Sequence, residues 1–206
     1  MSEIRQTTWE RIEGARRRWD VLRHPFYRRW SAGELSAAEL AGYSGQYRHA
    51  VEAIATMSGA AADALPDRPG LAAHAAEERD HVGLWDGFVQ ASGGERDAEP
   101  SAETRECVRA WTAGDGALAT LARLYAVESS QPQISRTKLD GLRGPYDYAD
   151  GAGIAYFTVH QSRDVEHASE LRELIGELAA DADADEIVAA AESAYRANWR
   201  LLDGVA

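Results

Sequence analysis

Two histidines and an aspartate recur at helical spacing in the C-terminal third of the chain. His160, Asp164 and His167 are separated by four and three positions. At about 3.6 residues per turn, these steps place all three side chains on one narrow face of a helix. Two imidazoles and a carboxylate on one face can bind a borderline divalent cation. A solvated charged face has the same spacing, so the triplet alone leaves both interpretations open.

A second segment, AAEERDHVGLW, offers another carboxylate and another imidazole. Glu78 and His81 are three positions apart, the Glu-x-x-His spacing by which carboxylate-rich bundles present ligands to two metal ions. Glu77 precedes His81 by four positions and lies on nearly the same face, so it competes with Glu78 for this role. The same pair is common on solvated helix surfaces, so the pair alone does not decide between a metal site and a solvated surface.

A single acid interrupts the apolar segment LARLYAVE. Glu128 lies on the expected inner face of its helix, where a carboxylate is costly unless it is paired or bound. An ion pair with an arginine is the alternative. Taken together, three helices offer three histidines and three carboxylates, which is the ligand set of a two-metal site with open positions for dioxygen. Zinc is compatible with these donors, although structural zinc sites prefer cysteine and histidine.

Lysine is nearly absent from this chain. Lys138 is the only lysine among 22 basic residues. An ammonium group can lose its proton and react, whereas a guanidinium group effectively cannot. The solitary lysine therefore indicates either chance or a position that requires an amine.

The composition excludes several classes of function. The chain has 206 residues, enough for one compact domain, which we expect to cover 1–206. Its net charge of −12 argues against a nucleic-acid or anionic-membrane partner, because both need a basic surface. Cys107 is the only cysteine, which excludes a disulfide framework. Without an apolar signal segment or membrane span, we expect a cytoplasmic protein.

Helix-forming residues dominate, and capping signals divide them into an all-α pattern. Thr7 or Thr8 is expected to cap the first helix, Ser36 and Glu39 form a capping box, and Pro132 should kink a long helix. The predicted helices cover about 8–22, 25–30, 36–65, 71–92, 101–113, 116–142, 152–180 and 186 onward.

Three segments carry a family resemblance that extends over nearly the whole chain. They are HPFYRRWSAGEL at 24–35, LYAVESSQPQISRTKLDGL at 124–142 and YFTVHQSRDVEH at 156–167. With these motifs the chain resembles the heme-oxygenase-like di-iron oxidases, whose fold group includes the thiaminase (TenA-like) and pyrroloquinoline-quinone synthase (PqqC-like) relatives. Within it, the chain is most similar to the branch of para-aminobenzoate-forming proteins related to the Chlamydia protein associating with death domains. The resemblance implies a heme-oxygenase-like bundle of seven to eight helices.

The resemblance also implies roles for individual residues. Tyr27 matches the tyrosine that such proteins are thought to consume as substrate, and Lys138 matches the lysine thought to donate the amino group. Tyr43 and Tyr156 match tyrosines of the pocket. Val127 departs from the family pattern, which has a tyrosine there, and this weakens a radical relay through that position. The metal ligands implied by the match are Glu78 or Glu77, His81, Glu128, His160, Asp164 and His167.

From this match we expect a dioxygen-dependent oxygenase with two metal ions, Fe/Fe or Fe/Mn, and an external reductant. It would convert its own Tyr27 into para-aminobenzoate, with nitrogen from Lys138, once per chain. The main alternative keeps the metal site but oxidises an external fatty acid, amino acid or amine. Heme degradation with His24 as axial ligand, a thiaminase-like hydrolase using Cys107, and a non-catalytic interaction module are further alternatives. We expect a homodimer, and the sequence does not identify the electron donor.

Overall fold

The computed structural model describes residues 3–180 and 183–205, and within these ranges the chain is all-helical, as predicted. No strand occurs in the described ranges, and a short 3₁₀ turn, Val21–Arg23, follows the first helix. The α-helices are α1 (Glu3–Arg18), α2 (Pro25–Ala32), α3 (Ala37–Ala64), α4 (Pro69–Ser92), α5 (Ala102–Trp111), α6 (Ala117–Glu128), α7 (Gln131–Arg143), α8 (Ala152–Leu178) and α9 (Ala184–Asp203).

Several helix ends follow from local side-chain chemistry. The Ser36 hydroxyl accepts a hydrogen bond from the backbone N–H of Glu39, whose carboxylate accepts one from the backbone N–H of Ser36. This confirms the capping box at the start of α3. Ser101 caps α5 in the predicted way. Gly93 ends α4 in the left-handed conformation, with a φ of 71° that favours glycine.

The predicted boundaries of the first helix are wrong at both ends. The helix begins at Glu3, so Thr7 and Thr8 lie inside it and do not cap it. It ends at Arg18 and not near residue 22, because the Asp20 side chain accepts a hydrogen bond from the Leu22 N–H and starts the 3₁₀ turn. A local capping bond therefore ends the helix before His24 and Pro25 are reached.

Pro132 separates two helices where the sequence predicted one kinked helix. Helix α6 ends at Glu128, and α7 begins at Gln131 with Pro132 in its first turn. Proline is favoured at this position because the first-turn N–H groups have no acceptor within the helix. If α6 and α7 are counted as the one predicted helix, the described bundle has eight α-helices, within the expected range.

Helix α8 crosses the middle of the bundle and packs against α4, α6 and α7. It runs antiparallel to α4 and approaches it closely at two glycines, one on each helix, that face alanines. A Cβ atom added at Gly87 would lie 2.6 Å from the carbonyl oxygen of Ala152, and one at Gly153 would lie 2.7 Å from the Ala91 Cβ. These two glycines let the facing side chains further along α4 and α8 meet.

Large apolar side chains fill the spaces between the helices. Trp85, Phe88, Trp111 and Leu124 are completely buried, as their positions on inner helix faces predict. In the described part of the chain, no helix combines the length and the apolar character needed to cross a bilayer.

Candidate metal centre and aromatic pocket

Helices α4, α6 and α8 bring a buried group of imidazoles and carboxylates together. Its members form two overlapping sets of donors, and within each set the ligand atoms lie within 4.8 Å of one another. One set contains His74, Glu78, Glu128 and His167, and the other contains Glu78, His81 and His160. Two donors at about 2.1 Å from one ion are at most about 4.2 Å apart, so each set needs only a small contraction to hold an ion.

Glu78 and Glu77 are placed differently by the fold. Glu78 is 2% exposed and belongs to both donor sets. Glu77 is half-buried at the rim, where Arg163 donates two hydrogen bonds to its carboxylate at 2.7 and 2.8 Å. This guanidinium lowers the pKa of Glu77 to about 2. Glu77 also lies 3.3 Å from Nε2 of His167, so it is placed to orient that imidazole and not to join the interior set.

Two imidazoles present an unprotonated nitrogen to the interior. Nδ1 of His160 lies 2.6 Å from the carbonyl oxygen of Tyr156, which can only accept a hydrogen bond. The proton is therefore on Nδ1, and Nε2 of His160 is left as a buried acceptor without a partner. His167 is arranged the other way round: its Nε2 faces Glu77, and its Nδ1 is the buried atom without a partner. Fixing the tautomer through the second nitrogen is how proteins prepare histidine for metal binding.

The carboxylates of the group repel one another. Burial is the main reason why the pKa of Glu128 is raised well above its ordinary value, and the nearby charge of Glu78 raises it further. The pKa of Asp164 is also raised well above its ordinary value, mainly by burial and then by the charge of Glu128. For Glu78 burial acts in the same direction, but the hydrogen bond to His81 and the neighbouring imidazoles outweigh it, and its pKa is lowered.

Among the residues that the structure describes, both oxygens of Glu128 and both oxygens of Asp164 are buried without a hydrogen-bond partner. Buried polar atoms are rarely left unpaired, because the loss of hydration is not recovered. Divalent cations would supply the missing partner to these oxygens and to the imidazole nitrogens. The donor set, with nitrogen and hard oxygen ligands and no sulfur, suits iron or manganese.

Sequence reasoning missed His74. This residue is 4% exposed and faces Glu128 and His167 from the first half of α4. The signal was present, because His74, Glu78 and His81 repeat the four-and-three spacing of His160, Asp164 and His167.

Lys138 is enclosed by aromatic rings beside the metal centre. Its Nζ lies between 4.6 and 5.8 Å from the centroids of five rings, and no carboxylate forms an ion pair with it within residues 3–180 and 183–205. Burial lowers the pKa of Lys138 well below its ordinary value. The rings belong to Tyr27, Tyr43, Tyr47, Trp85 and Phe157.

Tyr27 and Lys138, far apart in sequence, therefore share one pocket. The Tyr27 side chain is 2% exposed, and the Lys138 Nζ lies 5.8 Å from its ring centroid. Burial raises the pKa of the Tyr27 phenol, so its hydroxyl keeps its proton at neutral pH. A buried amine with a lowered pKa therefore lies beside a buried phenol.

Tyr156 and Trp85 join this pocket to the metal centre. The Tyr156 ring stacks on His160 with centroids 3.8 Å apart, and its edge meets Trp85 at 4.9 Å. Trp85 in turn contacts Tyr43 at 6.0 Å. This path of adjacent rings does not pass through Val127, the position at which the family's tyrosine is missing.

Two alternative candidates have structural roles. His24 accepts a hydrogen bond from the Phe26 N–H through Nδ1 and lies 3.0 Å from Asp203 through Nε2, so both ring nitrogens are engaged in holding α2 and α9. This does not fit an axial heme ligand. Cys107 is completely buried, and burial raises the pKa of its thiol, which does not fit a nucleophile.

Known proteins resemble this chain in both sequence and fold. A protein named 4-aminobenzoate synthase from Chlamydia trachomatis is 32% identical over 197 residues, covering 89% of this chain and 85% of that protein. A protein of the same name from Nitrosomonas europaea is 30% identical, with coverage of 90% and 85%.

Solved structures support the same fold. A domain of unknown function with a heme oxygenase-like fold from Shewanella denitrificans superposes with a TM-score of 0.81 at 23% identity, covering 99% of this chain and 93% of that one. A TenA homologue from Pseudomonas syringae gives a TM-score of 0.83 at 17% identity, with coverage of 97% and 91%. The model of a family described as iron-containing redox enzymes matches residues 71–199. This chain is therefore a heme-oxygenase-like member of the family of iron-containing redox enzymes.

Proposed function

We propose that the protein is a dioxygen-dependent dimetal oxygenase that makes 4-aminobenzoate from the side chain of its own Tyr27, with the amino group from Lys138. The observation that carries the proposal is the common pocket of Tyr27 and Lys138, next to a buried donor set for two ions. The names of the relatives from Chlamydia and Nitrosomonas support the product.

In this proposal the ions are held by Glu78, His81, Glu128, His160, Asp164 and His167. When bound, an iron pair or an iron–manganese pair supplies oxidation by dioxygen, with electrons from an external reductant. Arg163 holds Glu77 at the rim, and Glu77 keeps the His167 ring in its orientation.

The pocket residues have separate tasks. Burial keeps water from the reacting ring and lowers the pKa of the Lys138 amine, which favours its unprotonated, nucleophilic form. Tyr27 already has the para-substituted six-carbon ring that the product needs. Tyr43 lies beside the Lys138 amine, and Tyr156 lies between Trp85 and His160. The reaction consumes the protein, so one chain gives one product.

The test is product formation from the protein, ferrous iron, reductant and air, without any added substrate. Wild-type protein should give at most one 4-aminobenzoate per chain, accompanied by a loss of intact mass. Tyr27→Phe and Lys138→Met should each abolish the product while metal loading stays near the wild-type level. Undiminished product from Tyr27→Phe would contradict the proposal.

A second candidate function is oxidation of an external small molecule. A pocket of about 190 Å³, bounded by Arg68, Leu71, His74 and Glu170, leads from the surface to the metal centre. Its wall is mostly apolar, with Leu71, Leu171 and Leu174, and would suit a small organic molecule. Turnover well above one per chain with an added substrate would favour this function, whereas a wild-type protein that binds no metal would favour a non-catalytic interaction protein.

A further inference from the structure

We propose that His74 is a seventh metal ligand, so that each ion is held by one imidazole from α4 and one from α8. The inference rests on the proposed dimetal site and extends it. It begins from a repeated pattern: His74, Glu78 and His81 on α4 have the spacing of His160, Asp164 and His167 on α8.

The antiparallel packing of α4 and α8 turns this repeat into two facing pairs. The rings of His74 and His167 lie with centroids 3.9 Å apart, and the rings of His81 and His160 lie 4.5 Å apart. Each pair therefore contains one imidazole from each helix. Glu78 belongs to the donor sets at both ends, which places it as a bridge.

The contacts of His74 are those of a ligand and not of a completed ion pair. Its Nε2 lies 2.8 Å from Oε1 of Glu128 and 3.9 Å from Oε1 of Glu78. The contact with Glu128 is not aligned as a hydrogen bond, so Nε2 of His74 and both Glu128 oxygens are buried without hydrogen-bond partners. A cation between these atoms satisfies all of them at once.

With His74 included, the centre has four imidazoles and three carboxylates. The ion at the His74 end would have two nitrogen donors, from His74 and His167. Its oxygen donors would come from Glu128 and from Glu78, which belongs to both donor sets. The ion at the other end also has two nitrogen donors, from His81 and His160. Both positions are thus equally rich in nitrogen, which favours two borderline ions over one borderline and one hard ion.

The experiment measures binding of Co²⁺ to metal-free protein, because this ion is stable in air and its absorption bands report its ligands. The variants are His74→Ala, His74→Gln, which fills the space of the ring, and His74→Gly with added imidazole. The pocket of about 190 Å³ that touches His74 gives free imidazole access. His49→Ala is the matched control, because His49 lies on α3 and contacts the Ala98 carbonyl, outside both donor sets.

We expect two Co²⁺ per chain in the wild type and in His49→Ala. In His74→Ala and His74→Gln, one of the two ions should bind more than ~100-fold more weakly, beyond the effect of losing an outer-shell partner. Added imidazole should restore binding of the second Co²⁺ to His74→Gly, together with the absorption bands of that ion.

Three results would overturn the inference. Two ions bound with wild-type affinity and spectrum by His74→Gln would show that no nitrogen ligand is needed there. If all His74 variants bind Co²⁺ more weakly and added imidazole does not restore binding to His74→Gly, then His74 has only a packing role. A wild-type protein that binds no metal would overturn the proposed function as well, whereas the first two results leave it standing.

Discussion

The buried amine of Lys138 gives a stability prediction that can be tested without any catalysis. In the folded protein it lies among five aromatic rings without an ion pair in the described residues, and burial lowers its pKa well below the ordinary value. Its unfolded-state pKa is about 10.4. Between these two values the unfolded chain binds one more proton than the folded chain. In that pH range folding must release the proton, and the free-energy cost is largest at and below the folded-state pKa.

The sign and the size of the effect follow from proton linkage. Since the unfolded state binds more protons, the contribution of Lys138 to the free energy of unfolding rises with pH, by about 1.4 kcal/mol per pH unit. Lys138→Met has a similar volume and no titratable group, so its stability lacks this term. We expect the variant to be more stable than the wild type at neutral pH. The difference should shrink as the pH rises from the folded-state pKa towards 10.4, by about 1.4 kcal/mol per pH unit within that range.

The assay is urea unfolding of metal-free protein in the presence of a chelator, at several pH values. Other titrating groups cancel when the two free energies of unfolding are subtracted at each pH. Arg136→Met, on the exposed side of α7, is the matched control, and its difference from wild type should not change with pH. A pH-independent difference for Lys138→Met would refute the reasoning, because it would mean that the amine stays charged in the folded protein. Lys138→Arg should destabilise the fold strongly, since a guanidinium cannot release its charge on burial.

Three further predictions concern the metal centre and the packing. Glu78→Gln should lose at least one bound metal ion by elemental analysis, whereas Glu77→Gln should keep both and weaken binding by no more than about 10–100-fold; equal loss in both variants would refute the distinction. Gly141→Ala should lower the free energy of unfolding by about 1–3 kcal/mol, because the new Cβ would lie 2.5 Å from Nε1 of Trp30. Ser36→Ala should cost about 1 kcal/mol by removing the capping box, measured by thermal or urea unfolding, and a cost near zero would show that the cap is not needed.

Local chemistry accounts for the helices that sequence reasoning placed correctly. A cap such as Ser36 or Ser101 satisfies N–H groups within three residues of itself, so it can be read without knowledge of the rest of the fold. The errors also have local causes that compete closely in energy. Asp20 ends α1 before the proline does, and Pro132 fits the first turn of a new helix as well as a kink.

The sequence by itself determined the all-helical class, most helix ends and the alignment of His160, Asp164 and His167 on one face. It determined these because helical periodicity and capping depend on residues less than one or two turns apart. It also singled out Lys138, as the only lysine, and Tyr27 through resemblance to a family.

Only the tertiary structure decided which neighbouring carboxylate points inward and which further imidazole lies beside it. Glu77 and Glu78 are nearly equivalent on an isolated helix, and the choice depends on Arg163 from α8. On an isolated helix α4, nothing distinguishes His74 from other polar residues. It stands out only in the folded protein, where His167 of α8 packs against it. The environment of Lys138 is likewise set by rings from four different helices. Such surroundings come from contacts distant in sequence, which no local pattern specifies.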